Sequence, residues 1–232
     1  MTETIRIRSI AGGGDGVGTL ADGRTVFVPR SAPGDLVELR GLTRSKRFAR
    51  ARIARVVEPS AERVVPRCPH YEGDECGGCQ VQHLLPEAQR EVKRQLVGEA
   101  LRRIGHLDAV TPPIEASESD WEYRSKITLA AKGSRVGLHR LGRPDDVFDL
   151  VRCHIARPEL AHLWQGLRQH RRLLPSDMAQ IVLRVDRTGA SHAIVRVTGS
   201  TAWVDASIPC VSPLHTVSTG RQGQCASHAR MN

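Results

Sequence analysis

The sequence predicts a β + α/β protein, in which a small N-terminal β-barrel of the OB type is followed by an α+β domain. Residues 1–58 contain five short strand-like segments separated by tight turns, a pattern typical of a five-stranded closed barrel. Residues 59–198 contain a long helical stripe followed by several strands, an order typical of an α+β domain. Residues 199–232 show no periodicity, and we predict a disordered tail there.

The barrel strands are indicated by alternation and by turns. Residues 5–8 alternate between Ile and Arg with a period of two. Asp22-Gly23 is a strong hairpin signal, and a second turn is predicted over residues 32–35. The other strands are predicted at residues 17–20, 25–28, 36–39 and 51–57.

The second domain begins with an irregular stretch that contains three cysteines. A helix is predicted over residues 86–104, because apolar residues recur at helical spacing, Pro86 suits a first turn and Gly105 suits a helix end. A second helix is predicted from Pro158. Strands are predicted at residues 125–131, 136–141, 147–150, 180–186 and 193–197.

The composition favours a polyanionic partner. The 34 Lys and Arg residues outnumber the 25 Asp and Glu residues, which gives a net charge of +9. Aromatic residues make up only 3% of the chain, so a nucleic-acid surface cannot depend on many stacked rings. A GC-rich genome also raises the Arg content without a functional cause, and composition leaves both explanations open.

The sequence contains no apolar run near the ~20 residues that a membrane span requires. The first ten residues lack the apolar segment of a signal peptide. We therefore expect a cytoplasmic monomer that contacts no membrane. In a reducing compartment, the six cysteines are expected to be thiols or metal ligands.

Cys68, Cys76 and Cys79 form most of a metal-site pattern, and Cys153, just after a predicted strand, is the best candidate for the fourth ligand. The glycines between Cys76 and Cys79 allow the backbone to wrap closely and to expose N–H groups toward sulfur. Zinc is the alternative, because Cys68, Cys76, Cys79 and His83 would form a Cys₃His site. His70 and His154 are further possible zinc ligands, and spacing alone leaves both metals open.

Two basic stretches are candidates for RNA contact. The first combines cations with one aromatic ring that can stack on a base; its residues are Arg44, Lys46, Arg47, Phe48, Arg50 and Arg52. The second consists of Tyr123, Arg124 and Lys126. A solvated charged strand face is the alternative for the first stretch. His83, His139 and His154 are interpreted as structural histidines, because no nucleophile pairs with them.

Several of these motifs resemble those of the bacterial RNA (uracil-5-)-methyltransferases, which modify 23S ribosomal RNA and transfer RNA. Residues 13–18, 21–35 and 47–53 resemble the TRAM domain of that family. Residues 68–84 resemble its cluster motif, with the specific string Cys-Gly-Gly-Cys-x-x-Gln-His from Cys76 to His83. Tyr123–Lys126 and Arg152-Cys153 resemble two later motifs, so the resemblance covers residues 3–198.

The resemblance implies a 4Fe–4S cluster on Cys68, Cys76, Cys79 and Cys153, and ribosomal RNA as the partner. Family members also contain a domain that binds S-adenosylmethionine and supplies a nucleophilic Cys and a general base. We find no such unit in this sequence: Gly12–Gly18 does not fit G-x-G-x-x-G, and Cys225 is a poor nucleophile candidate. We therefore predict no catalytic residues and no S-adenosylmethionine binding.

The interpretation that follows is an RNA-binding, cluster-containing N-terminal portion of a 23S rRNA methyltransferase, inactive alone. The family pattern fades where the cofactor domain is expected, and a frameshift or an early stop would produce the unpatterned tail. The alternatives are a stand-alone RNA-binding protein and a zinc-stabilised binding module.

Overall fold

The computed structural model describes residues 3–198 and the backbone of residues 215–219. Backbone contacts divide the chain into two units. The first consists of the residues up to Glu72 together with Cys79–Ser117, and the second of Gly73–Gly78 together with the residues from Glu118 onward. The predicted tail, residues 199–232, lies outside the described residues apart from the strand at 215–219. None of the described helices is long and apolar enough to span a membrane.

The first unit contains six strands in the sheet order β1-β5-β6-β4-β3-β2. All neighbouring strands are antiparallel except β4 and β6, which are parallel. The strands are β1 (Thr4–Arg6), β2 (Ser9–Ile10), β3 (Asp15–Thr19), β4 (Thr25–Pro29), β5 (Leu36–Arg44) and β6 (Phe48–Glu58).

The sheet is curled, and its two outer strands, β1 and β2, belong to one continuous segment of the chain. β1 pairs with β5, whereas β2, only three residues further on, pairs with β3. Between them, Ile7 donates its N–H to the Asp35 carbonyl at 2.9 Å, and Arg8 donates to the Val17 carbonyl at 2.8 Å. Residues 4–10 therefore form hydrogen bonds with β5 on one side and with β3 on the other, which covers the edges of both strands.

The interior of the curled sheet explains the glycine-rich sequence. Gly16 and Gly18 face the apolar core on β3, where an added Cβ would lie 1.9 Å from Ser31 Oγ and 2.5 Å from Ile5 Cδ1 respectively. Gly14 has a φ of +87° and leaves no room for a side chain beside Gln80. Within the run Gly12–Gly18, Gly14 thus serves turn geometry, and Gly16 and Gly18 serve close packing.

The long helix packs against the first sheet. Helix α1 spans Pro69–Glu72, and helix α2 spans Pro86–Arg103, close to the predicted range of 86–104. Ala88 and Val92 of α2 form an apolar cluster with Leu84 and with two residues of the first sheet, Ile10 and Ala32. Because of this contact, α2 groups with the first unit, which differs from the predicted domain boundary between residues 58 and 59.

The second unit is an α+β layer. Its sheet has the order β12-β11-β10-β7-β8-β9, and helix α3 (Pro158–Gln169) packs on one face through Leu160, Leu163, Trp164 and Leu167. A short 3₁₀ turn follows at Arg171–Leu173. The strands are β7 (Lys126–Lys132), β8 (Arg135–Arg140), β9 (Arg143–Asp149), β10 (Met178–Val185), β11 (Ser191–Val197) and β12 (His215–Thr219).

The predicted β-rich class is confirmed, but the first sheet has six strands instead of the predicted five, because residues 4–10 form two short strands. Three further local details differ from the predictions. β5 and β6 extend to Arg44 and from Phe48, because their pairing continues up to the turn. β9 begins at Arg143 because it forms a hairpin with β8. Residues 215–219 form a strand, contrary to the predicted disorder there, because they pair in parallel with β11.

A buried carboxylate anchors the chain where it leaves the first sheet. Asp35 is fully buried and accepts hydrogen bonds from the N–H groups of Ala32 at 2.7 Å and Ser60 at 2.8 Å. Its carboxylate also forms an ion pair with Arg63, which donates a further hydrogen bond to the Arg30 carbonyl at 2.9 Å. Burial raises the pKa of Asp35, but Arg63 and the two N–H groups outweigh burial and hold it below its ordinary value.

Asp35→Ala is expected to destabilise the first unit by about 3–5 kcal/mol, because it leaves the Arg63 charge without its buried partner. Chemical denaturation followed by circular dichroism measures this loss. Glu38→Ala is the matched control, since the Glu38–Arg55 ion pair at 3.3 Å lies on the surface of the same sheet and contributes about 1 kcal/mol or less. Equal losses for the two variants would contradict the anchoring role of Asp35.

Candidate cluster ligands and nucleic-acid surfaces

The four predicted cluster ligands are divided between the two units. Cys68 and Cys79 belong to the first unit, and Cys76 and Cys153 belong to the second. None of the four forms a disulfide. Their thiol groups are therefore chemically available as ligands.

In the first unit, Tyr71 is hydrogen-bonded to the backbone at Cys68 and to the backbone next to Cys79. Its N–H donates to the Cys68 carbonyl at 3.0 Å, and its hydroxyl donates to the carbonyl of Gln80, the residue after Cys79, at 2.7 Å. Burial raises the pKa of Tyr71 well above its ordinary value, so the hydroxyl retains its proton at neutral pH. The buried tyrosine thus holds the backbone next to both cysteines.

In the second unit, Cys76 is buried beside the end of β8. Cys76 forms an antiparallel bridge with Arg140, and the Gly77 N–H donates to the His139 carbonyl at 2.9 Å. The Gly78 N–H donates to Cys76 Sγ at 3.4 Å. Such an N–H stabilises a thiolate, which is the form of cysteine that binds a metal.

Cys153 packs against the same apolar core as Cys76. The backbone that follows it is held by the Tyr123–Lys126 stretch: the Arg124 N–H donates to the Ile155 carbonyl at 2.8 Å, and the Arg157 N–H donates to the Arg124 carbonyl at 3.1 Å. The structure therefore brings together two predicted motifs that are far apart in the sequence.

Within the part of the chain that the structure describes, no three His, Cys, Asp or Glu side chains are close enough to hold a metal ion. The four-cysteine set and the zinc site with His83 therefore stay predictions. The donor chemistry around Cys76, a buried thiol that accepts an N–H, fits a thiolate ligand. Cys210 and Cys225 lie outside the described residues.

His83 is buried inside the first unit, and its Nδ1 lies 2.7 Å from the Tyr71 hydroxyl oxygen. Burial lowers the pKa of His83 to about 4, and the positive charges of Arg63 and Arg30 act in the same direction. The imidazole is therefore neutral at neutral pH. This environment agrees with the interpretation of His83 as a structural histidine.

The first predicted RNA-contact stretch forms the turn between β5 and β6 and the first part of β6. Alternation along β6 buries Ala49 and Ala51 in the core and turns the intervening residues outward. The outward residues are Phe48, Arg50 and Arg52, and Lys46 and Arg47 are exposed in the turn.

Sequence reasoning missed Phe27, which completes this surface from the neighbouring strand. The Phe27 and Phe48 rings lie edge to face, with centroids 5.9 Å apart, and the Arg50 guanidinium lies 5.7 Å and 5.8 Å from the two centroids. We call these three residues the aromatic cluster. The signal for Phe27 was its outward position between the buried Val26 and Val28.

Two arginines of the predicted stretch are paired with carboxylates. Arg50 lies 3.3 Å from Asp15, and Arg44 lies 3.1 Å from Glu3 and 3.5 Å from Asp22. Exposed ion pairs of this kind contribute about 1 kcal/mol or less, so a phosphate can replace a carboxylate at small cost. The surface is therefore basic but partly neutralised.

The second predicted RNA stretch lies at the start of β7. Lys126 is the first residue of the strand, and Tyr123 is 53% exposed. Arg124 lies before β7 and forms a parallel bridge with Ala156. The three residues are thus exposed in one segment, although only Lys126 belongs to the predicted strand.

Comparisons with known proteins point to RNA methyltransferases, although no family model matches the chain. The chain is 35% identical over 167 residues to a 23S rRNA (uracil(1939)-C(5))-methyltransferase of Halomonas elongata, covering 70% of this chain and 34% of that protein. It is 32% identical over 159 residues to the protein of that name in Dechloromonas aromatica, covering 65% of this chain and 36% of that protein. It is 38% identical over 174 residues to an uncharacterised RNA methyltransferase of Thermosynechococcus vestitus, covering 72% and 38% respectively.

Among solved structures, the chain resembles the tRNA (uracil-54, C5)-methyltransferase of Pyrococcus abyssi, which was crystallised with S-adenosyl-L-homocysteine. The TM-score is 0.63 at 21% identity, and the match covers 98% of this chain and 53% of that chain. At this identity the likeness establishes a shared fold. The chain spans about a third of the length of the curated relatives that it matches.

The buried, neutral His83 predicts a loss of stability in mild acid. Its folded pKa of about 4 lies below its unfolded value of about 6.5, so its contribution is fully present above pH 6.5 and is lost as the pH falls to 4. The expected loss over this range is on the order of 3 kcal/mol. Urea denaturation at a series of pH values measures it.

His83→Gln is expected to be less stable at neutral pH but to show a shallower dependence of stability on pH between 6.5 and 4. His106→Asn, which removes an exposed histidine of the same unit, is expected to retain the full dependence. An unchanged pH profile for His83→Gln would show that another group causes the acid sensitivity.

Proposed function

We propose that the chain belongs to the RNA (uracil-5-)-methyltransferase family and that residues 3–198 are its RNA-recognition part. The observation that carries this proposal is the similarity to RNA methyltransferases over about two thirds of the chain. The net charge of +9 and the exposed aromatic cluster support binding to RNA.

Ribosomal RNA is the proposed target. Two of the relatives described above carry names that specify 23S rRNA, and both are more than 30% identical to this chain. The archaeal tRNA enzyme is only 21% identical and supports the fold alone.

The aromatic cluster supplies the proposed contact between the first unit and RNA, in the manner of a TRAM domain. Phe48 is 37% exposed, so part of its side chain is available to an unpaired base, while Phe27 packs against it edge to face. Arg50 lies beside both rings and can exchange Asp15 for a phosphate. Lys46 and Arg47 in the adjacent turn extend the positive surface.

The proposed ligands of a 4Fe–4S cluster are Cys68, Cys76, Cys79 and Cys153. Support comes from the Cys-Gly-Gly-Cys string, from the N–H donated to Cys76 Sγ and from the backbone contacts that position the segment after Cys153. Bound iron would supply ligand bonds that add to the folding free energy. We assign a structural role to these cysteines.

Methyl transfer is not assigned to residues 3–198. Among the described residues, parallel pairing between named strands is confined to β4–β6 and β11–β12, and Gly16 and Gly18 are used in packing. A Rossmann-type cofactor site requires consecutive parallel strands and a glycine-rich turn that opens a helix. We therefore propose that these residues bind RNA without binding S-adenosylmethionine.

Removing the aromatic cluster is expected to weaken RNA binding. Phe48→Ala should raise the Kd for a uridine-containing single-stranded RNA by roughly five- to a hundredfold, because a stacked base contributes about 1–3 kcal/mol. Arg50→Gln should weaken binding and lower the salt dependence by about 0.7 on a double-logarithmic plot. Fluorescence anisotropy of labelled RNA measures both effects.

Arg55→Gln is the matched control for Arg50→Gln, because Arg55 is exposed on the same strand and is paired with Glu38. Its effect on the Kd should be small. Equal effects of the two Arg variants would argue against a defined contact at the aromatic cluster. Calorimetric titration with S-adenosylmethionine in parallel tests the assignment of residues 3–198, and measurable binding would overturn it.

Cys153→Ser is expected to abolish cluster loading although the Cys76–Cys79 string is unchanged. The measurement is iron and sulfide content, with the visible spectrum, after anaerobic reconstitution. Cys225→Ser is the control and should load normally. A colourless protein that binds one zinc per chain would replace the iron–sulfur proposal with the Cys₃His alternative.

A further inference from the structure

The sheet of the second unit has a second face, which is not covered by α3. Ile127, Leu129, Ile181 and Leu183 point toward the α3 side and belong to the apolar core. Strand alternation places the intervening residues on the opposite side, which we call the outward face. On the three strands β7, β10 and β11 it consists of Lys126, Thr128, Ala130, Gln180, Val182, Arg184, His192, Ile194 and Arg196.

The strand register sets two cations directly opposite each other on the outward face. Lys126 of β7 pairs with Arg184 of β10, and both side chains are exposed. Like charges at directly opposed positions destabilise a sheet. Within residues 3–198 neither side chain has an ion-pair partner. An anion bound between them would remove this repulsion.

The remaining residues of the outward face add one more cation and no carboxylate. Arg196 is exposed and pairs with Gln180, four residues along β10 from Arg184, a separation of roughly 13 Å. No Asp or Glu occurs among the nine residues of the face. The nearby Asp186 accepts hydrogen bonds from the N–H groups of Thr188 and Ala190, and its carboxylate lies 2.7 Å from His192 Nε2.

The cations of the outward face on β7, β10 and β11 therefore differ in their charge balance from three arginines of the first sheet. On the first sheet, Arg50, Arg44 and Arg55 each lie within ion-pair distance of a carboxylate. On the outward face, the opposed pair of cations and the single Arg196 have no ion-pair partner among the described residues. The row between them includes the 38%-exposed Ile194. The spacing suits successive phosphates of one extended strand better than a single small anion.

We propose that the outward face binds the phosphate backbone of single-stranded RNA through Lys126, Arg184 and Arg196. This inference rests on the proposed RNA-binding function and assigns to the second unit a contact that is separate from the aromatic cluster. On these three strands the face has no Phe, Tyr or Trp, and its one imidazole, His192, is held by Asp186, so it contributes affinity without stacking on bases. Its contribution is the same for RNA strands of different sequence.

The test measures RNA binding by the 232-residue chain that carries Lys126→Gln/Arg184→Gln/Arg196→Gln. Loss of three phosphate contacts should lower the slope of log affinity against log salt by about 2, and it should weaken binding at low salt by about tenfold or more. Oligonucleotides of different sequence should be affected equally. The variant Arg90→Gln/Arg102→Gln/Arg103→Gln on α2 changes the net charge equally and should retain most of the slope.

A second variant separates binding from folding. Lys126→Glu places opposite charges at the register pair with Arg184, so it should raise the midpoint of thermal unfolding while weakening RNA binding. A fall in both properties would indicate a structural role for Lys126 and would overturn the proposal.

The other outcomes are also decisive. An unchanged salt slope in the triple variant, with binding still lost in Phe48→Ala, would overturn the outward-face proposal and leave the proposed function intact. No RNA binding by the unmodified chain at low salt would overturn both. If the triple variant lost binding to phosphatidylserine vesicles and to RNA equally, the outward face would be a general anion surface, and the proposal would also be overturned.

Discussion

The buried Asp35–Arg63 ion pair is the interaction on which the first unit depends. The Asp35 carboxylate holds the turn before β5 and the chain at Ser60, while the Asp35 carbonyl accepts the N–H of Ile7 at 2.9 Å. One residue thereby joins the segment that closes the sheet to the segment that leaves it. Because the Asp35 carboxylate is fully removed from solvent and the Arg63 side chain is only 20% exposed, the pair must be complete to stabilise the fold. The path of the chain toward Cys68 and α2 starts from this anchor.

The surfaces of the two sheets differ because alternation alone does not determine charge balance. On the first sheet, Arg50 has a carboxylate within reach, and an aromatic ring provides the apolar contact. On β7 and β10 of the second sheet, Lys126 and Arg184 oppose each other and the apolar contact is aliphatic. A protein with these two surfaces can combine base stacking in one unit with backbone attraction in the other. This combination agrees with the RNA-modifying enzymes to which the chain is similar.

The cysteine motif shows how glycine serves ligand geometry. Gly77 lies against the His139 carbonyl, where an added Cβ would be only 3.0 Å away, and Gly78 directs its N–H to Cys76 Sγ. A side chain at Gly77 would oppose this close approach, whereas one at Gly78 would make ordinary contacts at 3.4 Å. Local packing therefore explains the first glycine of the Cys-Gly-Gly-Cys string. The proposed metal analysis tests whether these donor atoms bind an iron–sulfur cluster or zinc.

The sequence by itself determined the alternating strands, helix α2 to within one residue of its end, and the metal-site pattern, because these follow from local periodicity, turn chemistry and spacing. Only the tertiary structure decided the pairing of residues 4–10 with both β5 and β3, the place of Phe27 beside Phe48, and the opposition of Lys126 and Arg184. It also grouped α2 with the first sheet. These features depend on strand register and on contacts between distant residues, and a shift of one residue would reverse which side chains face outward.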